Sequence, residues 1–197
     1  MTPAKFILDI WADIQHLAPN LKIELIPFEN TPENAREILR NLGKQIDVVA
    51  GIYDDRFMRE RGFRVIHLEN KIISFAVSMT SPLVANAEIT LADLKNTGVL
   101  FIRRGWNCYI DELRSACEEE GVRVVDFEFF NLAAFNTAVK DNLPIIAVEG
   151  WENVHPLLRI VPSAMPVTAP YGIMYSPEPS RQVWKFVRTV EEIINRK

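Results

Sequence analysis

The chain has 197 residues, 48% of them hydrophobic and 24% charged, with a formal net charge of −4. That is room for one large core or two small ones, in an ordinary globular composition. A duplex-DNA surface needs a cluster or stripe of Lys and Arg. The sequence offers only short patches such as Arg103-Arg104, and no apolar stretch approaches the roughly 18 residues of a membrane helix.

Thr2-Pro3 is a helix start, with proline in the first turn. Phe6, Ile7, Ile10, Ile14 and Leu17 follow at steps of three and four until Ala18-Pro19-Asn20 ends the helix. Leu21 to Phe28 alternates Leu and Ile with Lys and Glu and reads as a strand. Thr31-Pro32 opens a second helix, with Ala35, Ile38, Leu39 and Leu42 on its apolar face and Gly43 closing it. Ile46 to Ile52 is a near-continuous apolar run, as in a buried parallel strand.

Phe63 to Met79 is a long β-rich stretch broken by the polar Glu69-Asn70-Lys71. Thr90 caps a short helix, and Val99 to Ile102 is another buried strand. A helix from Asn107 to Glu120 turns Ile110, Leu113, Ala116 and Cys117 to one side and is closed by Gly121. Then come an alternating strand over Val122 to Phe130, a helix over Leu132 to Val139, and a buried strand over Pro144 to Val148. Val154 to Leu158 is a turn of helix, and strands cover Leu158 to Val161 and Ala169 to Tyr175. Ser180 caps a last helix with Val183, Trp184, Val187, Val190 and Ile194 inward. Alternating strands and helices argue for α/β with mostly parallel sheets. Pro162, Pro166 and Pro170 mark an extended crossing between two lobes, with Ser74 to Met79 a candidate for the other crossing.

No catalytic constellation stands out. The eight glycines are isolated, so no loop is built to cradle phosphate, and His16, His67 and His155 lack metal-ligand spacing. Neither a cofactor nor a metal is expected. Cys108 and Cys117 lie on one predicted helix with Cα atoms roughly 13 Å apart, too far for a disulfide. They read as free thiols of a reducing cytoplasm.

Leu21-Lys22-Ile23-Glu24-Leu25 after Pro19-Asn20 resembles the "YPDVELEL" strand entry of the LysR-type effector domain. Ile38-Leu39, Leu42 and Ile46-Asp47-Val48-Val49 resemble that family's "L..G..D.AI" unit, and Ser81-Pro82-Leu83 stands where His-Pro-Leu is common. Ile89-Thr90-Leu91-Ala92-Asp93-Leu94 matches "vsl.dL", and Asn142 to Val148 resembles "G.GIAllP". The ordered set spans nearly the whole chain, although no single motif is specific. The Gly-x-Gly turn before Ile145 is replaced by Asp141-Asn142-Leu143-Pro144. The family's winged helix-turn-helix has no counterpart here, and neither does the strand that precedes the first helix. The chain therefore reads as an excised piece with a nominal Met1.

The resemblance implies two Rossmann-like lobes around a central cleft, of the periplasmic-binding-protein type II kind. Residues 1–76 with 168–197 would form the first lobe and residues 77–167 the second. It implies a small effector in the cleft, a homodimer or tetramer, and DNA contact only through an N-terminal domain outside this sequence. A transport-type solute-binding protein shares the architecture, and an enzyme on the same fold is a third reading.

Ligands of open α/β sheets sit beyond the carboxyl ends of the strands, where helix N-termini present free N–H groups. That makes the helix starts at Thr2, Thr31, Arg104, Trp106, Asn107 and Asn131 candidate ligand contacts. The resemblance implies the same for Thr31, which matches a family position, and for Ile52, whose strand end reaches the cleft in the family. Val148 and Thr168 are candidates because they lie near the lobe crossings. Thr31 and Asn131 have a second reading as helix caps. Arg103 and Arg104 are adjacent, so at most one enters the cleft and the other is an ion-pair partner. Trp106 reads either as core or as a platform beside Gly105. The expected ligand is an organic anion with an apolar part. Phe6, Ile10 and Trp11, with Tyr109 and Ile110, are either a two-fold interface or monomer core.

Overall fold

The structure, a computed structural model, describes residues 10–26 and 37–196. Its elements in chain order are α1 (Trp11–Leu17), β1 (Val48–Ile52), α2 (Asp55–Arg61), β2 (Arg64–Ser78), α3 (Leu91–Thr97), β3 (Val99–Ile102) and α4 (Cys108–Glu119). They continue with β4 (Val124–Phe127), α5 (Leu132–Lys140), β5 (Ile145–Val148), β6 (Leu158–Pro162), β7 (Thr168–Tyr175) and α6 (Arg181–Asn195). The chain divides into two compact units. One holds Asn70–Ala169; the other combines the described residues up to Glu69 with those from Pro170 onward. The chain passes between them within β2 and again within β7.

In the Asn70–Ala169 unit the path β3–α4–β4–α5–β5 builds a parallel core. β3 pairs in parallel with β4, Val99 opposite Val124 through Ile102 opposite Phe127, and with β5 at Leu100 and Ile145. Every residue of β3 and β5 is buried, the outcome expected of short uninterrupted apolar runs covered on both faces. The later part of β2 runs antiparallel to both β5 and β6, so the sheet is mixed. Thr90 and Asp93 close a reciprocal capping box at the start of α3.

In the other unit β1 runs antiparallel to β7, from Val48 opposite Tyr175 to Ile52 opposite Tyr171. The core joins Ile10 and Ile14 to Ile66, Ile173, Val183, Phe186, Val187, Val190 and Ile193. α1 therefore packs on α6. Ile10 is buried here, and Ile110 is buried in its own unit, so neither is available for a two-fold interface; Phe6 lies outside the described residues.

Five sequence expectations change. The run over Ile46 to Ile52, expected as a buried parallel strand, gives the half-buried β1 with an antiparallel partner in β7, because an apolar run does not fix the direction of its neighbour. Residues 21–26 form no regular strand, and Leu25 and Ile26 are exposed. Alternation supplies only the side-chain pattern; a strand also needs a neighbour for its N–H and C=O groups, and none pairs there among the described residues. Residues 154–157 make turns rather than helix, because His155 precedes Pro156 and its Nδ1 accepts the N–H of Leu157 at 3.2 Å. β2 runs unbroken through Glu69-Asn70-Lys71. Trp184 faces outward, with the guanidiniums of Arg64 and Arg188 at 5.6 and 5.9 Å from its ring. The buried side of α6 is Val183, Phe186, Val187, Thr189, Val190 and Ile193, a stripe turned around the helix from the expected one. α2 is an element that the apolar pattern missed, although its ends are marked: Asp54 accepts from the N–H groups of Arg56 and Phe57, and Gly62 closes it in a left-handed turn.

Candidate functional site

Three parallel strands of the Asn70–Ala169 unit end on one edge of the sheet, and each hands the chain to a loop carrying aromatic residues. After β3 comes Arg103–Asn107, after β4 Glu128–Asn131, and after β5 Glu149–Trp151. Phe130, 5% exposed, lies at the centre. Its ring centroid is 5.4 Å from Trp106, 4.8 Å from Trp151, 5.0 Å from Phe127 and 6.4 Å from Phe135. Both indoles stand steeply to it, at 71° and 90°, the edge-to-face arrangement that ring quadrupoles favour. Both tryptophans are only half-buried.

The two asparagines begin the helices on this edge. Asn107 Oδ1 accepts from the N–H groups of Tyr109 (3.1 Å) and Ile110 (3.4 Å), and Asn131 Oδ1 accepts from Ala134 N–H (2.8 Å). Both therefore serve as caps. Arg104 turns toward α4, where it donates to Ser115 Oγ (3.0 Å) and Glu118 Oε2 (2.5 Å). Arg103 pairs with Glu128 at 2.7 Å. Both guanidiniums are thus ion-paired in this arrangement, Arg104 by α4 and Arg103 by the loop after β4. Val148 is 2% exposed, opposite Ile73 in the sheet. Its side chain is core, and its carbonyl accepts the N–H of Trp151 at 3.2 Å. Thr168 is exposed at the start of β7. Thr2 and Thr31 lie outside the described residues.

Sequence reasoning missed Phe130 and Trp151. The signal for Trp151 was a second Gly-Trp pair, Gly150-Trp151, echoing Gly105-Trp106; Phe130 had none, since nothing local separates it from the neighbouring phenylalanines. In the other unit, Ile52 is half-buried at the end of β1. Beside it Tyr53 donates to or accepts from His67 Nδ1 at 3.1 Å, and burial near Glu69 pushes the Tyr171 hydroxyl up to about 12.

Behind the aromatic edge lies a charged network. Arg114, its side chain 10% exposed, reaches Glu118 Oε1 and Asp126 Oδ1, both at 2.7 Å, and donates to the Ile102 carbonyl at 3.3 Å. Burial opposes its charge, but the hydrogen bonds to Glu118 and Asp126 outweigh that and raise its pKa. Hydrogen bonds from Arg114 and then Arg104 hold the Glu118 carboxyl below its usual range. Neither cysteine is in a disulfide; burial, with Glu118 nearby, pushes the Cys117 thiol up to about 11. Among the described residues no group of His, Cys, Asp and Glu could hold a metal, and no helix is long and apolar enough to cross a membrane.

An open α/β sheet with capped helix starts and aromatic loops gathered at the carboxyl edge of its parallel strands belongs to the class of ligand-binding domains. The chain is a member of the LysR substrate binding domain family, whose sequence model matches residues 2–193. It is similar to CbnR, a LysR family transcriptional regulator, with 16% identity and a TM-score of 0.69, covering 95% of this chain and 64% of CbnR. It is also similar to the regulatory domain of CcmR from Synechocystis PCC6803 in complex with 2-PG, at 13% identity and TM-score 0.69, covering 98% and 93%. The effector binding domain of QuiR in complex with shikimate aligns at 12% identity and TM-score 0.71, covering 96% and 90%. No curated protein sequence matches the chain. The LysR resemblance read from the sequence is thus borne out at the level of family and fold.

Proposed function

We propose that this chain is the effector-sensing part of a LysR-type transcription regulator and not an enzyme. A small organic molecule binds it, and a homodimer or tetramer carries the response to DNA through an N-terminal domain in the cytoplasm. The observation that carries the reading is the meeting of the three loops after β3, β4 and β5 around Phe130, in a chain of this family. Trp106, Asn107, Asn131 and Thr168 are the proposed contacts from this unit. Thr2, Thr31 and Ile52 are further candidates that rest on the resemblance. Arg104 and Val148 take part by holding the loops rather than by touching ligand.

A thermal-shift panel of organic acids, amino acids, sugars and nucleosides tests this. A ligand at about 100 times its Kd adds roughly 2.7 kcal/mol to the native state, which raises Tm by about 5–11 °C for a chain of this size. A hit that Trp106→Ala abolishes places it on this edge. Silence from every class would count against an effector domain, and a hit indifferent to Trp106 would move the site elsewhere.

A further inference from the structure

The two tryptophans of the edge are set in place by the same device. Each follows a glycine at the end of a parallel strand, Gly105 after β3 and Gly150 after β5, with φ of 88° and 95°. Nothing lies within 4 Å of where a Cβ would stand on either glycine. It is the left-handed backbone, not lack of room, that calls for glycine there. Each glycine N–H is clamped by a carboxylate: Gly105 to Asp111 Oδ2 at 2.8 Å, and Gly150 to Glu152 Oε1 at 3.1 Å. β3 and β5 are neighbours, so the two turns deliver two indoles to the Phe130 ring. Core filling needs no such device; the strands beneath are packed with Val, Leu, Ile and Phe alone apart from Ala147.

Two exposed apolar side chains adjoin the rings, among charged neighbours. Leu132, beside Asn131, is 64% exposed, and Ile72, whose carbonyl accepts the N–H of Glu149, is 41% exposed. The nearby cations Arg103 and Arg104 are matched by Glu128 and Glu118. What this edge offers a ligand is ring surface on a rigid mount. Taking the chain as an effector domain, we propose that the Trp106–Phe130–Trp151 edge selects an effector built around a planar unsaturated ring, gripped by indole surface instead of by an arginine.

Matched probes test this by calorimetric titration: benzoate against cyclohexanecarboxylate, and furan-2-carboxylate against tetrahydrofuran-2-carboxylate. The planar member of each pair should bind roughly tenfold tighter, the scale of one or two aromatic contacts. Trp151→Leu and Trp106→Leu should each weaken the planar probe about tenfold and leave the saturated one within about threefold. Should either variant fail to fold, the Trp11→Phe/Trp184→Phe protein leaves Trp106 and Trp151 as the only indoles, and the planar probes should quench their emission where the saturated ones do not. Equal affinity within both pairs, or affinity unmoved by either leucine variant, overturns ring selection and leaves an effector domain standing. So does a saturated sugar or amino acid that shifts the melting temperature when no planar probe binds. If no probe and no panel compound binds at all, the effector reading fails and ring selection with it.

Discussion

The loop Arg103–Asn107 divides its side chains between two regions built on different physics. Arg104 joins Arg114, Glu118 and Asp126 in a chain of ion pairs that ties α4 to β3 and β4. Two residues on, Trp106 joins Phe130 and Trp151 in an aromatic edge. The charged network is directional, so each oxygen and N–H has one useful position, and it fixes how α4 and its capping Asn107 sit against the sheet. The aromatic edge is held by area and ring geometry, which leaves part of each indole uncovered. One region sets position, and the other presents surface.

Removing a member of each region should therefore cost stability in different amounts. Phe130→Ala takes away the buried ring on which four other aromatics rest and should lose about 3–4 kcal/mol, read as a lowered denaturant midpoint. Arg114→Leu removes the most buried member of the network. A fully buried pair broken in this way costs about 3–5 kcal/mol. Here Glu118 keeps Arg104 and Asp126 is half-exposed, so a loss nearer 2 kcal/mol is expected, by the same measurement. A larger loss for Arg114→Leu than for Phe130→Ala would reverse the ranking and make the network the keystone of this unit.

These two regions also show what the sequence could reveal. Strands β3 and β5 were legible because a short run of Val, Leu, Ile and Phe has one plain destination, the middle of a covered sheet. Asn107 and Asn131 were legible as helix starts because capping is local chemistry. The fate of Arg104 was not. It depends on Glu118, fourteen residues on and brought within reach only when α4 folds back along the sheet. The convergence of Trp106 and Trp151 likewise depends on β3 and β5 becoming neighbours with 44 residues between those tryptophans, a fact of topology rather than of local pattern. Residues 21–26 failed in the opposite sense: the pattern was present, and among the described residues no strand pairs with them.

Acid should loosen the network before the aromatic edge. The native Glu118 carboxyl titrates below its unfolded value. Its contribution is thus complete in neutral solution, above the unfolded value, and is lost as pH falls through the native one. Glu118→Gln should lower stability by about 1 kcal/mol or less at pH 7, discounted for partial exposure. That gap should close as the pH drops below the ordinary carboxylate range, while the cost of Phe130→Ala changes little. A gap that widened in acid would mean that Glu118 is not the charged partner of Arg114.

The smallest effect belongs to Arg104, and it separates the two regions most cleanly. Its guanidinium is half-exposed and paired with Glu118, a geometry that contributes about 0–1 kcal/mol. Arg104→Gln should accordingly leave the denaturant midpoint almost unmoved. Because the side chain points into the network and not onto the ring surface, the affinity for benzoate should also stay within about threefold. A tenfold loss of benzoate binding in Arg104→Gln would show that the guanidinium leaves Glu118 for the ligand, which would make loop Arg103–Asn107 a moving part: the effector would then compete with α4 for its arginine, and binding would be coupled to the ion pairs that hold the helix in place.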